Sequence, residues 1–88
     1  MIEKTVRIVN RAGLHVRPAS TIVKTAGKYD ADFYISHEGY RINGKSIVGV
    51  MTLIAPQGAE LLLEFSGKDE EIMCREITSL IEGGFGEL

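Results

Sequence analysis

The fold is decided in the segment Asn10-Arg11-Ala12-Gly13-Leu14-His15-Val16-Arg17-Pro18-Ala19-Ser20, where the chain changes from a strand pattern to a helix pattern. Residues 2–8 before it alternate between apolar and polar side chains, which predicts a half-buried strand. After it, apolar residues recur at helical spacing, so a helix is expected to begin just after His15 and to end at Gly27. The apolar positions of this helix are Val16, Ala19, Ile22, Val23 and Ala26.

The start of the predicted helix combines residues that suit anion binding. Pro18 fits the first turn, where its missing N–H has no intrahelical partner to lose. Gly13 suits a turn that needs positive φ. His15 would then lie beside the free N–H groups of a helix N-terminus, with the guanidinium of Arg17 within reach. Each residue alone is equally typical of an ordinary cap or helix start, but together they predict a histidine that carries a phosphoryl group.

The remaining patterns alternate between strands and helices. Strands are expected near residues 32–36, 40–42 and 60–65, with a turn at His37-Glu38-Gly39. Two further helices are expected, a short one capped by Ser46 and a last one capped by Asp69. The short helix is expected to contain Ile47, Val48, Met51 and Leu53, and the core stripe of the last helix is Ile72, Met73, Ile77, Leu80 and Ile81. Gly83-Gly84 ends the last helix, after which the chain is expected to fray.

Element order and composition together predict the fold class. The order is βαββαβα, and four strands with one apolar face need helices over that face, so a two-layer α+β sandwich is expected. The 88 residues suit a single domain, 1–88, with 44% hydrophobic and 25% charged residues. Apolar runs are too short to cross a bilayer, and residues 1–5 do not resemble a signal peptide. Together with a single cysteine, these features predict a cytoplasmic protein without membrane insertion.

Charge is distributed unevenly along the chain, although the net charge is only −2. Residues 1–28 contain six basic side chains and one acid, whereas residues 57–88 contain eight acids and two bases. The basic end carries His15 and should favour phosphate and an acidic protein partner. His15, His37 and Cys74 are too few and too scattered for a metal site, so no metal and no other cofactor is expected.

The motif around His15 closely resembles the active-site motif of the HPr family, the histidine phosphocarriers of the sugar phosphotransferase system. The residues that carry the resemblance are Gly13, His15, Arg17 and Pro18. A second stretch, residues 43–51, is similar to the other HPr signature. The resemblance implies an antiparallel sheet in the order one, four, two, three, with the three helices on one face. It also implies that Nδ1 of His15 accepts a phosphoryl group from phosphorylated enzyme I and passes it to enzyme IIA domains.

The chemistry expected at His15 follows from its surroundings. Arg17 and the positive potential of the helix start disfavour the imidazolium, which keeps a neutral nitrogen available as nucleophile. The same groups should bind the phosphate once it is attached, with backbone N–H donors at Val16 and Arg17. The transition state of phosphoryl transfer needs in-line geometry and charge neutralisation more than covalent help. A shuttle with a phosphohistidine intermediate is therefore expected, more than a stand-alone enzyme.

The second motif is interpreted as regulatory as well as structural. The resemblance implies that an HPr kinase/phosphorylase could phosphorylate Ser46, which would add negative charge to a docking surface. It also implies a partner-binding patch at Ser20, Ile47, Val48 and Met51. Ile47 and Val48 are adjacent on one helix, so at least one of them should be exposed and available for transient docking.

Two alternatives remain open from the sequence. The first is a regulatory module of the same fold, which would bind a transcriptional regulator in catabolite repression through phosphorylated Ser46, or a carrier of a nitrogen-related branch. The second is a small nucleic-acid-binding domain that uses the basic N-terminal third. The mildly acidic chain without interleaved aromatic residues argues against nucleic acid as a partner.

Overall fold

The computed structural model describes residues 1–87 and has the expected α+β architecture, in the order βαββαβα. Its strands are β1 (Ile2–Arg7), β2 (Asp32–His37), β3 (Tyr40–Asn43) and β4 (Glu60–Ser66). Its helices are α1 (Val16–Ala26), α2 (Ile47–Met51) and α3 (Glu70–Glu82), and a 3₁₀ turn, Gly84–Gly86, follows α3. Within residues 1–87, no helix combines the length and the apolar character needed to span a membrane.

The sheet is antiparallel, and its strand order is β1-β4-β2-β3, as the family resemblance implied. Side chains alternate between its two faces, so Leu61, Leu63 and Phe65 of β4 are all buried on one face. Phe33 lies opposite Phe65 in the register, and the two rings stack with centroids 4.8 Å apart. This pair holds the two central strands together at the base of the core.

The helices pack on the apolar face of the sheet and complete the core. Ala19, Ile22 and Ala26 are buried from α1, and residues 73, 77 and 81 are buried from α3. Val16, by contrast, is exposed, because first-turn side chains tilt toward the helix N-terminus and here project past the core.

The expected core stripe of α3 was partly wrong. Ile72 is exposed because its neighbour Met73 already faces the sheet, and adjacent helical residues point about 100° apart. Leu80 is only half-buried. The stripe that the fold uses instead follows strict i, i+4 spacing through Met73, Ile77 and Ile81.

The turn between β2 and β3 is as predicted, whereas the second helix is shorter than predicted. Glu38 and Gly39 have φ values of 49° and 87°, which fits the tight turn expected between β2 and β3. Helix α2 ends at Met51, so Leu53 lies beyond the helix, contrary to expectation. The Leu53 N–H donates to the Val50 carbonyl, and this tight final turn carries the side chain of Leu53 into the core.

Asp69 occupies the N-cap position of α3 but does not cap the helix with its side chain. Its carboxylate instead accepts hydrogen bonds from the backbone N–H groups of Asp30 and Ala31, both at 2.9 Å. These bonds, that from Asp30 foremost, hold the pKa of Asp69 below its usual value. The capping expectation was therefore wrong in its chemistry, because Asp69 ties the α1–β2 connection to the start of α3.

Candidate functional site

The N-terminus of α1 is a helix start whose N–H groups are left without a side-chain cap. His15 occupies the N-cap position with extended backbone, φ −100° and ψ −169°, and its imidazole makes no capping hydrogen bond. The first intrahelical bond runs from the Ala19 N–H to the His15 carbonyl at 3.0 Å. Pro18 has no N–H, so the donors that remain are those of Val16 and Arg17. An anion at this end of the helix would meet both donors and the positive end of the helix dipole.

Gly13 positions the histidine, as the sequence predicted. Its φ is +73°, and a Cβ atom at this position would lie 2.6 Å from the Ala55 carbonyl oxygen. The next N–H, that of Leu14, donates to the same carbonyl at 2.8 Å. Only glycine fits this close approach of two backbone segments, and the resulting turn places His15 at the surface with its side chain 41% exposed.

Arg17 is the cationic residue that the sequence predicts to act beside His15. It is exposed on the first turn of α1, and among residues 1–87 its guanidinium forms neither a hydrogen bond nor a salt bridge. Its charge nevertheless reaches the His15 site, because it contributes to a lowered pKa of the carboxylate next to the imidazole. A free guanidinium in this position can turn toward an anion bound at the start of α1.

Glu87 contacts His15, although the sequence analysis did not identify it. Its Oε1 atom lies 2.8 Å from His15 Nε2, and Asn10 Nδ2 donates to the same oxygen at 2.8 Å. Asn10 is fully buried and also donates to the Gly13 carbonyl at 2.9 Å. The expectation that the chain frays after Gly84 is therefore wrong for residues 85–87, because a 3₁₀ turn returns the chain to His15, and residue 88 lies outside the described residues.

Hydrogen bonds hold the pKa of the Glu87 carboxyl below its ordinary value. The bond with His15 contributes most, that from Asn10 comes next, and partial desolvation opposes them. Glu87 is thus a carboxylate at neutral pH and can only accept hydrogen bonds. No sequence signal identifies it, since 72 residues separate Glu87 from His15 and no periodic pattern includes it.

The N-terminus of α2 is capped conventionally by Ser46. Its Oγ accepts a hydrogen bond from the Gly49 N–H at 3.1 Å, and its carbonyl accepts the first intrahelical bond from Val50. The predicted cap is confirmed. The serine hydroxyl is half-buried at the junction of β3 and α2.

Apolar side chains are exposed on the elements that adjoin His15. Val48 is 71% exposed and Ile47 39%, which confirms that at least one of the two adjacent residues faces solvent. Met51 is half-buried and Ser20 is exposed. Helices α1 and α2 pack against each other, so the proposed patch adjoins the helix that begins at His15.

Ile54 was not identified from the sequence, yet it lies beside His15. It is 80% exposed and, with His15 and Pro56, lines a depression next to the imidazole. Its φ of +46° is unusual for a β-branched residue. By contrast, His37 lies at the end of β2 and Cys74 on α3, and neither belongs to the His15 site.

Comparison with known proteins connects this site to a family. The family model described as "PTS HPr component phosphorylation site" matches residues 2–83. The phosphocarrier protein HPr of Treponema pallidum (strain Nichols) is 42% identical over 87 residues, 99% of each chain. That of Borreliella burgdorferi is 43% identical over 82 residues, 93% of this chain and 95% of the relative. A crystal structure of HPr from Thermoanaerobacter tengcongensis has a TM-score of 0.95 at 40% identity, covering 100% of this chain and 99% of the other.

Proposed function

This chain belongs to the HPr family of phosphocarrier proteins of the phosphotransferase system, and from that membership we propose that His15 is the residue that accepts and passes on the phosphoryl group. The observation that carries the proposal is the uncapped start of α1. There, an exposed imidazole, two N–H groups without intrahelical partners and a free guanidinium lie within one helical turn. A helix start of this kind suits a dianionic phosphate.

The transfer uses few groups of this chain. A lone pair on the imidazole nitrogen Nδ1 forms the new P–N bond, while the bond between phosphorus and the donor breaks and its electron pair stays on the donor. The N–H groups of Val16 and Arg17 and the Arg17 guanidinium neutralise charge on the equatorial phosphoryl oxygens. Onward transfer reverses these roles, with the imidazole as leaving group. This chain therefore acts as a shuttle between two protein partners.

Membership in the family implies enzyme I as donor and enzyme IIA domains as acceptors. The exposed apolar side chains beside α1 support docking of such partners at Ser20, Ile47, Val48 and Met51. A carrier that meets several partners benefits from a small apolar surface, since contacts of this kind bind transiently and adapt to different shapes. We place these reactions in the cytoplasm.

Ser46 is proposed as a regulatory phosphorylation site next to the docking surface. Its neighbours Ile47 and Val48 are both exposed, so a phosphate at Ser46 would add about two negative charges at the edge of the proposed patch. An HPr kinase/phosphorylase would be the modifying enzyme, and a transcriptional regulator could recognise the product. Phosphate at a helix start is compatible with the helix dipole, so its main effect would fall on the partners.

The proposed function is tested by incubation with phosphoenolpyruvate, Mg²⁺ and enzyme I. The wild-type chain should gain one acid-labile phosphate, and a purified enzyme IIA domain should then remove it. The matched control is His37→Ala, which removes the other histidine of the chain and should leave labelling unchanged. Labelling that is lost in His37→Ala but retained in His15→Ala would contradict the proposal.

A further inference from the structure

We propose that Glu87 is a positioning residue for His15, whose carboxylate holds the imidazole as the Nε2–H tautomer and so presents Nδ1 as the nucleophile. The proposal rests on the role of His15 proposed above. Glu87 lies outside residues 2–83, the part of the chain that the family model matches.

The hydrogen bond between the Glu87 and His15 side chains has a defined direction. Glu87 Oε1 and His15 Nε2 are 2.8 Å apart, which requires one proton between them. An ordinary glutamate carboxyl, with a pKa of about 4.3, is ionised at neutral pH, so Glu87 has no proton to give. Nε2 must then be the donor, and in a neutral ring the lone pair lies on Nδ1. Among residues 1–87, Nδ1 has no hydrogen-bond partner, so that lone pair is free.

The Glu87 carboxylate is held in place by its surroundings. Asn10 is fully buried and uses both Nδ2 hydrogens, one on Glu87 Oε1 and one on the Gly13 carbonyl. Glu87 is thereby attached to the same turn that carries His15. Phe85, two residues earlier, packs against the hydrophobic core and anchors the 3₁₀ turn that leads to Glu87. The Glu87 side chain is thus held at its carboxylate by Asn10 and at its backbone by the anchored 3₁₀ turn. A carboxylate held in this way can select a ring orientation as well as a tautomer.

The charge of the imidazole ring changes during the proposed transfer, and the position of Glu87 suits that change. When Nδ1 forms the P–N bond and Nε2 keeps its proton, the ring becomes a cation. The Glu87 carboxylate, on the Nε2 edge of the ring, stabilises that cation without being next to the phosphoryl group on Nδ1. When the P–N bond breaks in onward transfer, its electron pair returns to Nδ1 and the ring is again neutral with Nε2–H. No proton has to move in either direction, which keeps both transfers fast.

The experiment compares Glu87→Ala with Glu87→Gln by two readouts. The first is the ¹⁵N chemical shifts of the His15 ring in its neutral form, which report the tautomer directly and need no partner protein. The second is the steady-state rate of phosphorylation by enzyme I. Gln keeps an acceptor oxygen without the charge, whereas Ala removes both. The charge-matched control is Glu82→Ala, an exposed carboxylate at the end of α3.

Glu87→Ala should lose the preference for Nε2–H and lower kcat about tenfold with little change in KM, as expected for loss of a group that orients a functional histidine. Glu87→Gln should keep the tautomer and recover part of kcat, and Glu82→Ala should resemble wild type. An unchanged tautomer and kcat in Glu87→Ala would overturn the proposal, as would an effect confined to KM, which would place Glu87 in a partner contact. Absence of labelling in the wild type would instead contradict the function proposed for His15.

Discussion

Helices α1 and α2 pack against each other, but their N-termini differ. Only α2 has a side chain that caps its N–H groups. At α2, the Ser46 side chain accepts a hydrogen bond from the Gly49 N–H, while the Ile47 and Val48 N–H groups form no hydrogen bond within residues 1–87. At α1, the N-cap residue His15 turns its imidazole to Glu87 and leaves the helix donors unbonded by any side-chain cap. A missing cap costs about 1 kcal/mol of stability.

That difference separates a helix start capped by its own residue from the one proposed to bind the phosphoryl group. The cap residue of α2 bonds to its own helix, whereas the α1 start combines two unbonded N–H groups with an imidazole and a guanidinium, which suit the phosphate of the proposed function. The imidazole is in turn held from outside the helix by Glu87, whose carboxylate accepts a second hydrogen bond from Asn10. Substitutions at the two starts should therefore separate effects on activity from effects on stability.

The largest expected effect is that of His15→Ala at the α1 start. Acceptance of phosphate from enzyme I should be abolished, because the nucleophile is removed, while the fold is retained since the side chain lies at the surface. Labelling and circular dichroism should be measured on the same sample. Phosphate bound at wild-type levels in this variant would remove the functional difference between the two helix starts.

Arg17→Ala should have the next largest effect. Loss of a guanidinium that stabilises transition-state charge is expected to slow transfer by about 10²-fold, with no change in thermal stability because the side chain is exposed. Rapid-quench kinetics with enzyme I measures this rate. Arg11→Ala, an exposed arginine in the preceding loop, is the control and should retain nearly the wild-type rate. Equal losses in both variants would mean that general positive charge, not Arg17, acts at the site.

Ser46→Asp and Ser46→Ala test the α2 start as a pair. Asp can still cap the helix but adds a negative charge beside the docking patch, and it should slow phosphorylation of His15 by about one to two orders of magnitude at low salt. Ala removes the cap and should lower the free energy of unfolding by about 1 kcal/mol without slowing transfer. Transfer rates and urea unfolding distinguish the two effects. A slow Ser46→Ala variant would show that the cap, and not charge, controls docking.

Ile54→Gly probes backbone strain beside the α1 start. Relief of the positive φ of Ile54 should raise the free energy of unfolding by about 1 kcal/mol, since an exposed side chain loses little burial. Ile72→Gly is the matched control, because Ile72 is an exposed isoleucine in a regular helix and glycine there should destabilise by about 1 kcal/mol. Urea unfolding of both variants gives the comparison. Destabilisation by both would mean that Ile54 is not strained.

The smallest expected effect is a shift in the titration of Glu87. Its pKa is lowered mainly by the hydrogen bond with His15, so His15→Ala should raise it toward the ordinary value of about 4.3. Because the folded-state pKa is lowered, the stabilisation is complete above the ordinary pKa and is lost as pH falls through the lowered one. Carboxyl ¹³C NMR titration of both proteins measures the change. Identical titration curves would place His15 and Glu87 apart in solution.

The sequence predicted the architecture because the fold is encoded in local periodicity. Alternation identified β4, and i, i+4 spacing identified α3, although it misassigned Ile72 to the core, since adjacent apolar residues do not reveal which one faces the sheet. The order of the strands came from the family resemblance. Asp69 was placed correctly at a helix start, but its bonds to the distant residues 30 and 31 depend on how the chain packs.

The site was predictable where its residues are contiguous in sequence. Gly13, the N-cap position of His15 and the cap at Ser46 all follow from short motifs with known backbone requirements. Glu87 and Ile54 were missed because their positions depend on tertiary structure: one reaches His15 through a terminal turn, and the other through a loop with unusual φ. Contacts across such long separations leave no periodic signal in the sequence.

The hydrogen bond from the Leu14 N–H to the Ala55 carbonyl provides a measurable probe of local opening at this site. The bond joins the turn before His15 to the loop that carries Ile54, so the two segments can separate only when it breaks. The exchange rate of that single amide with deuterated solvent therefore reports the free energy of opening the loop region. Protection of the Leu14 amide should be compared in the free and the partner-bound protein. The difference would measure how far the site is already ordered before a partner binds.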